Sequence, residues 1–160
     1  MAELNIIKLP SAGFLRKKPA KVEKVSASEA RVLSDMAKAM YLNQGVGLAA
    51  NQVGIDKQLA VIDIGNGLIK LINPVIVKRE GVETEEEGCL SVPGVSVKVK
   101  RAKRVVVNFL NENGIAMQLK ADGLLGRAIQ HEIDHLSGKL IIDYLNPIKK
   151  ILVRKKSGRG

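Results

Sequence analysis

The sequence predicts an α+β fold: short antiparallel strands packed around a central helix, with an N-terminal helix before them and a short C-terminal basic tail after them. Three observations carry this. Apolar residues recur at helical spacing twice, between residues 26 and 45 and between 122 and 136. The stretch between them breaks into short β-branched runs punctuated by Gly, Pro and Asn, the grammar of strands and turns. Finally, 160 residues without an internal repeat or a Pro/Gly/Ser-rich linker is the length of one domain.

The elements follow in order. Ser26 with Glu29 three residues later forms a capping box, and Val32, Leu33, Met36 and Met40 continue at helical spacing, with Gly45 expected to end the helix. LAVIDI (59 to 64), a Gly-Asn-Gly turn (65 to 67), LIKLI (68 to 72) and VIVKRE after Pro74 read as strands. VSVKVK (95 to 100) alternates strictly, as a half-buried strand does. VVVNFL and IAMQL flank Asn113-Gly114, a strong hairpin signal. Asp122 or Gly123 caps a second helix running through Leu136, Gly138 supplies its left-handed stop, and KLIID (139 to 143) is expected as a closing strand. Asn146-Pro147 then opens the basic tail, itself expected to be helical.

A net charge of +10 asks for an acidic neighbour, and the basic residues concentrate in KVKRAKR (98 to 104) and KKILVRKKSGRG (149 to 160). Two Phe, two Tyr and no Trp leave no stacking platforms, so any nucleic-acid contact is expected to be phosphate docking, with no sequence-specific nucleic acid binding. A single cysteine rules out an intramolecular disulfide and fits a reducing compartment. No apolar run approaches the ~18 residues of a membrane span, and the first residues lack a basic-then-apolar export signal. The expected location is cytoplasmic, with no membrane partner.

QHEIDHLSG (130 to 138) holds both histidines of the chain, four residues apart. At about 100° per residue, His131, His135 and Glu132 fall on the apolar side with Leu124, Leu125, Ala128 and Ile129, while Arg127, Gln130, Asp134 and Ser137 form the polar face. A lone histidine on an apolar face is ordinarily a satisfied core residue. Two placed at random fall four apart with a probability on the order of 1%, before a glutamate is required beside the first. H-E-x-x-H therefore specifies a central metal-binding helix with an adjacent general base, and leaves the reaction class open. The third ligand must be Cys, Asp or Glu, because no third histidine exists. Asp143, the only carboxylate after His135, lies too near along the chain to swing comfortably onto the site. Upstream stands Cys89, in EEEGCLSVPG (85 to 94). A Cys₁His₂ set would leave a fourth position open to water, the arrangement of a catalytic site.

Three blocks, GVGLAANQVG (45 to 54), EGCLSVP (87 to 93) and QHEIDH (130 to 135), together with FLRKKPAKV (14 to 22), occur here in an order that resembles bacterial peptide deformylase. The resemblance implies a catalytic domain over residues 1 to 148 and a basic tail over 149 to 160. It implies a metal-dependent hydrolase that removes the N-formyl group from the initiator methionine of newly synthesised proteins and releases formate. Cys89, His131 and His135 match the family's metal ligands, for one divalent ion, iron(II) in cells, with zinc, nickel or cobalt possible in purified protein. Glu132 matches its acid/base residue, and Gln52 and the Leu90 N–H match the donors to the formyl oxygen. Val46 and Gly47 match its peptide-binding backbone, and Val46, Leu124 and Ala128 would contribute to its methionine pocket. The implied partners are N-formylmethionyl nascent peptides and, transiently, the ribosome. Two features depart from the family: Gly94, Val95 and Ser96 stand where many members carry an Arg, and the tail is short. The rival readings are a small metallopeptidase cutting internal bonds and a non-catalytic, basic ribosome-associated protein.

Overall fold

The computed structural model describes the backbone of residues 3–158 and the side chains of residues 3–153. Helix α1 spans Ala27–Leu42 and opens on the expected capping box, in which the Ser26 hydroxyl accepts from the Ser28 N–H and Glu29 accepts from the Ser26 N–H at 2.9 Å. Its end differs from expectation. The left-handed residue is Gln44 (φ 57°), and Gly45 serves close packing instead, since a Cβ there would meet Leu90 Cδ1 at 2.7 Å.

Strands β1 (Gly47–Ala49), β2 (Leu59–Ile62), β3 (Ile69–Glu80), β6 (Arg104–Leu110) and β7 (Ala116–Asp122) form an antiparallel sheet in the order β1-β2-β3-β6-β7. Strands β4 (Glu83–Cys89) and β5 (Val92–Arg101) pair as a separate antiparallel hairpin. LIKLI and VIVKRE merge into the single strand β3, and register irregularities around Pro74 absorb its missing N–H. Leu110 pairs with Ala116 across the Asn113-Gly114 turn, where Gly114 takes φ 76°.

Helix α2 (Gly123–His135) has Asp122 at its N-cap, and Gly138 takes φ 79° just past its end. A Cβ at Gly138 would run into the Arg16 carbonyl oxygen. KLIID is not a strand: Ile141–Tyr144 form a 3₁₀ turn, in which Asp143 accepts from the Leu140 N–H at 3.0 Å and pairs with Arg16 at 2.6 Å. Leu140, Ile141 and Ile142 are all buried, so the run lacks the alternation of a half-exposed strand, and a short apolar run does not by itself separate the two readings. The tail is helical as expected, forming α3 (Pro147–Gly158), with Ile148, Ile151 and Leu152 exposed. Its side chains beyond residue 153 lie outside the described residues.

Three apolar clusters hold these parts together. Leu33, Met36 and Met40 of α1 pack on Leu59 and Val61; Ile129 of α2 and Leu136 at its C-cap pack on Leu71 and Val107; Val97 and Val99 of the hairpin pack on Leu15 and Ile141. The polar face expected on α2 is half wrong. Arg127 and Gln130 are buried against the hairpin and its exit, where hydrogen bonds satisfy them, while Ser137 is exposed as expected.

Candidate metal and catalytic centre

The two histidines project from one side of α2 because four residues advance the helix by little more than one turn. His131 Nε2 and His135 Nε2 lie 3.2 Å apart. Cys89, at the last position of β4, brings its Sγ to 3.3 Å from His135 Nε2. The three donor atoms all lie within 4.8 Å of one another, a group that could hold a metal ion. Asp143 is engaged elsewhere, by Arg16. Three lone-pair donors facing a common point, two of them imidazole and one sulfur, suit a divalent transition metal. Burial pushes the His135 imidazole well below its ordinary value, whereas for His131 burial is outweighed by the neighbouring Glu132, Cys89 and Glu87, which push it up, so a bound ion would have to displace that proton.

Glu132 is nearly inaccessible, and its Oε1 has no hydrogen-bond partner among the described residues. Burial pushes this carboxyl up to about 7, and a cation beside it would draw it back down. Gly47 makes room for it: a Cβ at that position would overlap Glu132 Oε2. Gln52 sits on the 3₁₀ turn Ala50–Val53, accepts the Ala49 N–H at 2.9 Å, and turns its Nε2 toward Ser91 Oγ at 3.1 Å and Cys89 Sγ at 3.7 Å.

These residues surround one cavity of about 400 Å³. Val46 and Gly47 form one wall beside Gln52, Cys89 and Leu90 form another, and Leu124, Ala128, His131 and Glu132 line the side given by α2. His135 lies beneath them, almost fully buried. Every site residue expected from the sequence is thus in this one place. Val46 and Leu124 are about half exposed, which leaves an apolar, open margin able to take an apolar side chain.

Sequence reasoning missed the support beneath the donors. Glu87 faces His131 Nδ1 at 2.9 Å, and its carboxylate also accepts from Arg101 (2.7 and 2.8 Å) and Arg127 (2.6 Å). Burial opposes its charge, but Arg101 and His131 overcome burial and hold it at about 2. No local signal marked it: its stretch has the composition of a loop, and the register between Glu87 and Cys89 is itself irregular. Asn51 was missed too; its side-chain amide donates to the carbonyl of His135 and anchors the end of α2. Nothing in its spacing announced that role.

A family model for polypeptide deformylase matches residues 3–151. The peptide deformylase of Thermoanaerobacter pseudethanolicus is 52% identical over 129 residues, covering 81% of each chain. That of Xylella fastidiosa is 48% identical, covering 98% of this chain and 95% of its own. Among solved structures, a peptide deformylase from Legionella pneumophila superposes with a TM-score of 0.93 at 42% identity, covering 99% of this chain and 95% of that one. The peptide deformylase of Ehrlichia chaffeensis in complex with actinonin gives 0.94 at 37% identity, covering 99% and 98%. With a family model spanning nearly the whole chain and both sequence and fold agreeing with these relatives, the chain belongs to the polypeptide deformylase family.

Proposed function

We propose that the family's reaction runs in the cavity between β1, β4 and α2: the N-formyl group is removed from the initiator methionine of a newly synthesised protein and leaves as formate. The observation that carries this reading is the buried Glu132 carboxylate, whose Oε1 has no partner among the described residues, beside three converging donor atoms. Cys89, His131 and His135 would hold one divalent ion. Such an ion supplies Lewis acidity, lowering the pKa of water toward 7 and polarising the formyl oxygen.

The chain's own groups do the rest. Glu132 takes the proton of the attacking water and returns it to the leaving amine nitrogen as the C–N bond breaks. The Gln52 amide and the Leu90 N–H donate to the oxyanion as the formyl carbon becomes tetrahedral. Gly47 and Val46 sit at an edge strand, so an extended peptide can pair with their backbone. Val46, Leu124 and Ala128 receive the methionine side chain.

The choice of iron(II) in cells rests on the family resemblance, since zinc, nickel and cobalt also suit this donor set. We further propose residues 1–148 as the catalytic domain and 149–160 as a basic tail, a cytoplasmic setting, and a transient ribosome contact through α3, whose described part joins exposed Ile148, Ile151 and Leu152 to lysines. The test of the function is formate release from formyl-Met-Ala by protein purified without air, paired with metal analysis. Formate is expected from the formylated peptide and no cleavage within an unformylated one. Internal cleavage, or no formate from fully metal-loaded protein, overturns the proposal.

A further inference from the structure

The donor group is assembled from two elements that share no sheet: Cys89 ends β4, and both histidines ride on α2. Something must set the register between them to within a few tenths of an ångström. Arg127 stands one helical turn before His131, and the two reach the same carboxylate. Arg127 Nη1 donates to Glu87 Oε2 at 2.6 Å, while His131 Nδ1 lies 2.9 Å from Glu87 Oε1. The other bonds of Arg127 end on the carbonyls of Val99 and Glu83, each at 2.9 Å, so one guanidinium from α2 grips both strands of the hairpin. Arg101, from β5, also holds Glu87, and its Nη1 reaches Asp134 of α2 at 2.7 Å, but that tie touches neither carbonyl of the hairpin.

We propose that Arg127 is a positioning residue that locks the cysteine-bearing hairpin in register with the histidine-bearing helix and keeps Glu87 against His131 Nδ1, so that Nε2 faces Cys89 and His135. The inference rests on Cys89, His131 and His135 being the ligands. Its chemistry is particular to arginine. A planar fork can serve a carboxylate and two carbonyls at once, whereas a lysine ammonium offers a point charge on a flexible stem. Arg127 is also buried, so losing it leaves Glu87 and two carbonyls with fewer partners where water is scarce.

The experiment titrates Co²⁺ into metal-free, full-length protein and follows the visible bands and the near-ultraviolet sulfur-to-cobalt band. Partners behind a ligand are worth roughly 10–100-fold in metal affinity. Arg127→Met, which keeps the stem, is expected to weaken Co²⁺ by about tenfold or more and to shift the visible bands. Arg127→Lys should fall between it and the wild type. Leu33→Ala, in the α1 cluster and outside both the cavity lining and the donor group, controls for simple destabilisation and should bind Co²⁺ normally. Wild-type affinity and an unshifted spectrum in Arg127→Met overturn the proposal, as does a loss no greater than in Leu33→Ala. If Arg127→Met does not fold, Arg127→Lys decides: wild-type affinity there is the overturning result. Absence of the sulfur band in the wild type shows instead that Cys89 is no ligand, and the proposal falls with that assignment.

Discussion

At the residue scale, Glu132 separates ion binding from chemistry. It sits beside the histidines but points its carboxylate into the cavity past Gly47, and it is no member of the converging donor group. Replacing it by Gln preserves size and removes proton transfer, so kcat should fall at least about 100-fold while metal content stays near one equivalent. Turnover within tenfold of wild type, by single-turnover formate release, would show that another group activates the water. Cys89→Ala is expected to behave oppositely, losing tightly bound metal because two imidazoles remain; a full equivalent retained through dialysis would remove Cys89 from the ligand set. These residues were legible because metal chemistry restricts ligand types and helical geometry restricts spacing. Glu87, Arg127 and Asn51 were not, since each acts through a partner more than 35 residues away, as with the |i−j| of 40 between Arg127 and Glu87. A helical wheel ranks Arg127 as a solvent residue because it knows nothing of the hairpin that covers it.

At the scale of elements, α1 was readable from its own residues because its cap is local. Glu29 is hydrogen-bonded by Ser26 and paired with Lys57 at 3.0 Å, and these partners hold its carboxyl at about 2 against an ordinary 4.5. A depressed folded-state value means that the charged carboxylate stabilises the fold above pH 4.5 and that this contribution disappears as pH falls from 4.5 to about 2. Glu29→Gln should therefore lower the urea midpoint at pH 7, and the gap from wild type should close by pH 2 to 3. A gap that does not change with pH would mean that only the packing of Glu29 matters. Strand β4 was not readable, because ETEEEGC has the composition of a loop; its extended state comes from pairing with β5, whose Val97 and Val99 are buried. KLIID failed for the converse reason, an apolar run whose tight turn is imposed by Arg16 on Asp143.

At the scale of the whole molecule, the α+β class and the order of its parts followed from periodicity, whereas the division into a five-stranded sheet and a separate hairpin did not. The division turns on one pairing, β3 with β6, which closes over the intervening hairpin, and no local pattern encodes that closure. The charge of the molecule bears on its proposed docking. Removing residues 149–160 should reduce co-sedimentation with ribosomes, with a steep salt dependence in the intact chain, and leave formyl-Met-Ala turnover nearly unchanged. Pelleting that is equal with and without the tail at every salt concentration would take the tail out of the account. The donor group has one more consequence, for the entropy of the unfolded chain. Its members lie at positions 89, 131 and 135, so an ion held there ties a loop of 42 residues, 131 minus 89, in a protein whose single cysteine forbids a disulfide. By the chain-entropy argument used for cross-links, closing a loop of that size removes freedom worth about 4 kcal/mol from the unfolded state. The ion would then be the molecule's staple as well as its reagent, and stripping it should open the hairpin away from α2 before the rest of the fold gives way.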